Sequence, residues 1–116
     1  LKNDLLTFID PSVKNILDFK NITYIKPNYK EAVRLLKLAS EKGHGPAQYN
    51  FGNRYLHGEG VIQDIVYAHM WWKIAVSNGI DKGKKYKKYE EEMTLSQIEE
   101  SQRLARECVK KNYKGC

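Results

Sequence analysis

Few side chains in this chain of 116 residues carry the chemistry for a reaction. Covalent catalysis would need a Ser or Cys nucleophile beside a base. The bases on offer are three histidines, His44, His57 and His69. His44 falls in a glycine-rich turn and His57 precedes Gly58-Glu59-Gly60, both surface settings with ordinary structural uses. No catalytic residue is therefore assigned, and the chain reads as a non-enzyme. The histidines show no ligand spacing with one another or with the cysteines, so neither a metal site nor a cofactor is expected. Cys108 and Cys116 suggest a different chemistry. They are eight positions apart, with Gly115 between them to allow a sharp reversal. A disulfide there would close a small loop and contribute about 2–3 kcal/mol; the alternative is two free thiols. The first reading places the chain in an oxidising compartment, periplasmic or secreted, and the second in the cytoplasm.

The remaining chemistry is recognition. Segment 82–88 is lysine-rich, and with Tyr86 and Tyr89 it could grip nucleic acid by charge and stacking. Glu90, Glu91 and Glu92 follow at once. Lys87–Glu91 and Lys88–Glu92 then have the i, i+4 spacing of an ordinary solvated helix. The net charge of +6 suits an acidic partner but is low for a dedicated nucleic-acid binder. A protein or peptide partner is the expectation, with nucleic acid or an anionic surface as the alternative.

These side chains must be held by a repeat. Shifted forward by 36 positions, Ala32 falls on Ala68, Leu35-Leu36 on Trp71-Trp72, Lys37 on Lys73, Ala39 on Ala75 and Gly43 on Gly79. A period in the thirties marks stacked helical hairpins. The expected fold is all-α, an α/α solenoid of antiparallel hairpins with a C-terminal capping helix. Residues 1–27 read as an N-terminal cap or degenerate repeat, with Asp10-Pro11 starting a helix that carries Val13, Ile16 and Leu17. Residues 28–63 form a full repeat, 64–93 a modified terminal repeat, and 94–116 the capping helix and tail. In the full repeat, Asn28 caps a helix from Tyr29 to Lys42 whose face is Ala32, Leu35, Leu36 and Ala39. Gly45-Pro46 starts the next helix, with Gly45 as N-cap. Gly52 inside it costs about 1 kcal/mol against Ala, and so points to close helix–helix contact. Asp64 caps a helix from Ile65 to Asn78. A further helix is expected from Asp81 to about Met93. Thr94 and Gln97 form a capping box for the last one.

The spacing A-x6-A-x3-G-x3-AQY-x2-G-x2-Y-x2-G-x-GV, here Ala32, Ala39, Gly43, Ala47-Gln48-Tyr49, Gly52, Tyr55, Gly58 and Gly60-Val61, resembles the Sel-one-like repeat family, relatives of tetratricopeptide repeats. YAHMWWKIAVSNG is similar to the start of a second repeat, and MTLSQIEESQRLAREC to the segment that follows the last repeat in bacterial members. The resemblance covers residues 28–110. It implies an α/α solenoid acting as an adaptor or scaffold, often exported in bacteria.

It also implies where a partner would sit, because related repeats present their first helices on the concave side. The positions there that lie off the buried stripe are Arg34, Lys37 and Glu41, with Met70, Lys73 and Ser77 as their counterparts. Lys37 and Lys73 on successive helices could meet a carboxylate; otherwise the face is simply solvated. Adjacent residues on a helix point about 100° apart, so one of Trp71 and Trp72 could be buried while the other, taken as Trp72, anchors a partner; otherwise both fill the core. No apolar run approaches the ~18 residues of a membrane span. The opening LKNDLLTFIDPS lacks a signal-peptide pattern, since Lys2, Asp4 and Asp10 interrupt it.

Overall fold

Side-chain caps set the helix boundaries. The computed structural model describes residues 28–81 and 86–116, so the expected cap helix with Asp10-Pro11 lies outside the described residues. Helix α1, Tyr29–Glu41, begins where the Glu31 N–H donates to Asn28 Oδ1 at 3.1 Å. It ends at Lys42, and Gly43 turns the chain with φ +84°, a conformation that glycine adopts without strain. Helix α2, Gly45–His57, is capped by His44 rather than by the expected Gly45. The imidazole Nδ1 accepts from the Ala47 N–H at 3.2 Å, supplying the acceptor that glycine lacks. Asp64 Oδ1 accepts from Val66 and Tyr67 to start α3, Ile65–Ser77. Thr94 and Gln97 form the expected reciprocal box ahead of α5, Leu95–Lys110.

One element departs from expectation. The helix expected to run from after Asp81 to about Met93 ends early: among the described residues it is α4, Tyr86–Glu90. The chain tightens at once, with Glu92 N–H bonded to Tyr89 O and Met93 N–H to Glu90 O. That three-residue closure is how a helix ends on a tight turn. It sends Met93 into the interior and brings Thr94 to its capping position. The Lys87–Glu91 and Lys88–Glu92 ion pairs therefore do not form: Glu91 and Glu92 lie past the helix end.

The described residues are helices and connections, in an α/α helical repeat arrangement. Helix α2 packs between α1 and α3, and α5 packs on α3. Helix α3 is apolar on nearly every side, as a helix enclosed by its neighbours must be. Ala68, His69, Met70, Trp71, Trp72, Ile74 and Ala75 are all buried. Phe51, Met70, Trp71, Ile74 and Cys108 form the core cluster, and the Phe51 and Trp71 rings lie 5.2 Å apart. On α1, Val33 and Leu36 pack against this cluster, whereas Leu35 is 53% exposed and does not join the expected buried face.

Gly52 does what its cost in helix propensity suggested. A Cβ there would stand 2.7 Å from Cδ1 and Nε1 of Trp72 and 3.0 Å from the Ala68 carbonyl. The missing side chain is the slot that the Trp72 indole fills. Gln48, fully buried, donates through Nε2 to the Ser40 carbonyl at 3.0 Å and accepts through Oε1 from Asn78 Nδ2 at 2.8 Å. Cys108 and Cys116 are joined, with Sγ–Sγ 2.04 Å. Between them Tyr113 lies against Gly43 at the α1–α2 turn. No helix among the described residues is long and apolar enough to cross a membrane.

Candidate functional site

The structure scatters the six side chains expected to face a partner. Met70 is 1% exposed within the core, and Trp72 is 2% exposed in the Gly52 slot, its Nε1–H donating to Asn53 Oδ1 at 3.2 Å. Neither is an anchor on the surface. The reason is that α3 is covered on more sides than a terminal repeat helix would be. Arg34 is exposed and already paired with Glu31, at 2.5 Å. Lys37 is exposed and Glu41 partly buried. Helices α1 and α3 hardly touch, so Lys37 and Lys73 are not brought together. Of the six, Lys73 lines a groove beside α5, and Trp72 contributes an edge to a separate cleft beside α4.

The Lys73 groove, of about 600 Å³, lies between α3 and α5. Ile74, Ala105 and Val109 supply its apolar surface; Ile74 is the buried floor and Val109 is 47% exposed. Lys73, Arg106 and Lys110 stand around it with Ser77 and Gln102, and no carboxylate among the described residues lines it. Arg103, one turn away on α5, is tied to Glu100 and Glu107, with contacts of 2.5–3.0 Å. Arg106 and Lys110 have no such partner among the described residues. Lys73 holds its ammonium 5.5 Å from the centre of the Tyr86 ring. The result is an apolar trough with a cationic rim. The periodicity of α5 marks Ala105 and Val109 as apolar, but no motif singles out Arg106 or Lys110.

A second cluster had no sequence signal. His69 is fully buried, with Nδ1 2.6 Å from Ser101 Oγ and Nε2 2.6 Å from Glu90 Oε2. The connectivity is that of a nucleophile, base and acid, but the order in space is reversed. Ser101 is the enclosed member, with no exposed surface and a 2.8 Å bond to the Ile98 carbonyl, whereas Glu90 reaches the surface. A substrate could not reach that hydroxyl. The cluster instead ties α4 and α5 to α3, and Tyr86 closes it with an edge-on ring contact to His69. Burial holds the His69 imidazole below its ordinary pKa, and Lys73 adds to this; the Glu90 carboxylate opposes it without prevailing. Neutral His69 donates from Nε2 to Glu90 and presents Nδ1 as an acceptor to Ser101, whose single hydroxyl proton is shared between Nδ1 and the Ile98 carbonyl.

A depressed histidine pKa means that the unfolded chain binds the proton first. The associated stability is complete above the ordinary histidine pKa of about 6.5 and declines as pH falls below it. Thermal melts should therefore show a melting temperature that drops from pH 7 toward pH 5, and His69→Gln should flatten that drop. Parallel curves for the two proteins would show that another group is responsible.

The helices and their packing define an α/α helical repeat protein. The Sel1 repeat model matches residues 23–44 and 45–80, together half of the chain, and the chain belongs to that family. Sel1 repeats are generally protein–protein interaction modules and typically not enzymes. A search of curated proteins found no relative that matches the chain.

Proposed function

We propose that this chain is an interaction module that receives an acidic protein segment with an aliphatic anchor in the groove between α3 and α5. The observation that supports this reading is the pairing of an apolar floor with Lys73, Arg106 and Lys110 and no lining carboxylate among the described residues. Apolar burial supplies affinity, while the charges select the partner and set its register. The site keeps Lys73 from the face expected on sequence grounds and replaces its other members.

Two synthetic peptides test it, one with leucines set among glutamates and one with the same leucines set among lysines. The acidic peptide should bind. Arg106→Glu/Lys110→Glu should weaken it about tenfold or more, a loss of at least ~1.4 kcal/mol. The same double variant should improve binding of the lysine peptide. No preference between the peptides, or an unchanged acidic-peptide affinity in the double variant, would refute the groove.

We also propose an oxidising compartment, periplasmic or extracellular, supported by the Cys108–Cys116 pair. Chain purified from its native compartment without reductant should show no free thiol; two titratable thiols would argue for the cytoplasm.

A further inference from the structure

A second cleft, of about 650 Å³, shares no residue with the α3/α5 groove. Helix α2 supplies Tyr49, Asn53 and His57 to its walls, α3 supplies Trp72, and α4 supplies Lys87 and Lys88. Again no carboxylate among the described residues lines it. Here, however, the walls carry rings and hydrogen-bond donors where the groove carries aliphatic surface.

Arg54, also in the wall, is paired with Glu59 at 3.1 Å, but other groups around this cleft keep donors or ring faces without a partner among the described residues. Because α4 stops at Glu90, Lys87 and Lys88 lack the helical ion pairs that their spacing promised. The Lys88 ammonium lies 5.2 Å from the centre of the Tyr89 ring, a contact that leaves its N–H donors available. Tyr49 is partly exposed, and neither its ring nor its hydroxyl has a partner among the described residues. Trp72 Nε1–H can only donate, so it occupies the Asn53 oxygen and leaves the Asn53 amide N–H donors free. The His57 imidazole is exposed and has no partner among the described residues. The lysines are not on a loose strand. The 2.6 Å bond from Glu90 to buried His69, and the Tyr89–Trp72 ring contact at 5.4 Å, pin α4 against α3.

We infer that this cleft binds a phosphate ester carried on a flat ring, the chemistry shared by a free nucleotide and a single strand of nucleic acid. Lys87 and Lys88 meet the phosphate as point charges. The unpaired Tyr49 ring offers a stacking surface, which accepts any base because every base has a π face. The Asn53 amide donates to a ring acceptor. The volume lies within the range of small-molecule sites.

The test titrates the intact chain with adenosine monophosphate, inorganic phosphate and oligothymidylate. Adenosine monophosphate or the oligonucleotide should bind. Lys87→Ala/Lys88→Ala should weaken that binding at least tenfold; both side chains are exposed, so helical circular dichroism should be unchanged. Tyr49→Leu should weaken the ring-bearing ligands and leave inorganic phosphate unaffected. Arg106→Glu/Lys110→Glu should leave all three unchanged, which separates this site from the peptide groove. Binding of the mononucleotide with no gain for the oligonucleotide supports a free nucleotide as the source. Oligonucleotide binding that falls steeply with salt, with weak mononucleotide binding, supports a strand. Three results would overturn the proposal. One is no binding of either ring-bearing probe at millimolar concentration. Another is inorganic phosphate binding as tightly as the mononucleotide. The third is binding that survives the double lysine substitution.

Discussion

Trp71→Ala should cost about 3–5 kcal/mol of folding free energy, the range for removing a large buried aromatic. For a chain of this size that corresponds to a drop in melting temperature of more than about 10 °C. Trp71 is 1% exposed, packs its ring on Phe51, and sits in the cluster shared by α2, α3 and α5, so the vacated volume has no side chain poised to refill it. Its Nε1–H is buried without an acceptor among the described residues. Trp71→Phe should therefore lose much less than the alanine variant, because part of the lost packing is offset by removing an unsatisfied donor. The repeat supplies a matched control. Leu35 occupies the equivalent position 36 residues earlier and is 53% exposed, so Leu35→Ala should stay within about 0.5 kcal/mol of wild type. Denaturant unfolding of the three variants measures the ladder. A Trp71→Ala loss as small as that of Leu35→Ala would mean that the core is not where the structure puts it.

The second large effect should come from adding a single methyl group. Helix propensity alone says that Gly52→Ala gains about 1 kcal/mol. Sterics says the opposite, since the new Cβ would stand 2.7 Å from two atoms of the Trp72 ring and 3.0 Å from a backbone carbonyl. Trp72 is enclosed and its Nε1 is tied to Asn53, so it has little room to retreat. Overpacking of this kind costs about 1–3 kcal/mol, and a net loss is expected. A double-mutant cycle isolates the cause. Trp72→Leu installs the residue that the first repeat carries at Leu36, and in that background Gly52→Ala should become neutral or stabilising. The coupling should exceed about 1 kcal/mol. Strictly additive losses would remove the ring as the reason for glycine at this position.

What could be read from the chain, and what could not, divides by the range of the interaction. Asn28, Asp64 and the Thr94–Gln97 box were legible because a cap and the N–H it accepts lie within three residues. Gly52 was legible because it is costly in a helix and so implies a neighbour. The side of α3 that meets a partner was not. Periodicity tells which residues share a face but not how many faces are covered, and α5 covers one that a simple hairpin would leave open. Lys73 is the only charged residue in IVYAHMWWKIAVS apart from the titratable His69, a hint that most of that helix is interior. His69, Glu90 and Ser101 are 21 and 32 positions apart, and each is unremarkable alone. Likewise Arg106 and Lys110 matter because Ile74 lies beside them, a relation that only the packing of α5 on α3 creates. His44 as a cap was missed because glycine next to proline is the commoner signal, and the imidazole outcompeted it as an acceptor.

The Gln48 side chain has one further consequence. One amide joins the end of α1, through the Ser40 carbonyl, to the end of α3, through Asn78, while itself riding on α2. In a stack whose units touch only their neighbours, stability is a series of intrinsic terms and junction terms, and weak junctions let end units melt separately. Here a buried junction bond spans three consecutive helices, and losing any one of them strands a polar amide in the interior. Partial opening is penalised at both ends at once. The helices α1, α2 and α3 are thereby bound into one cooperative unit, so their slowest-exchanging amides should exchange together.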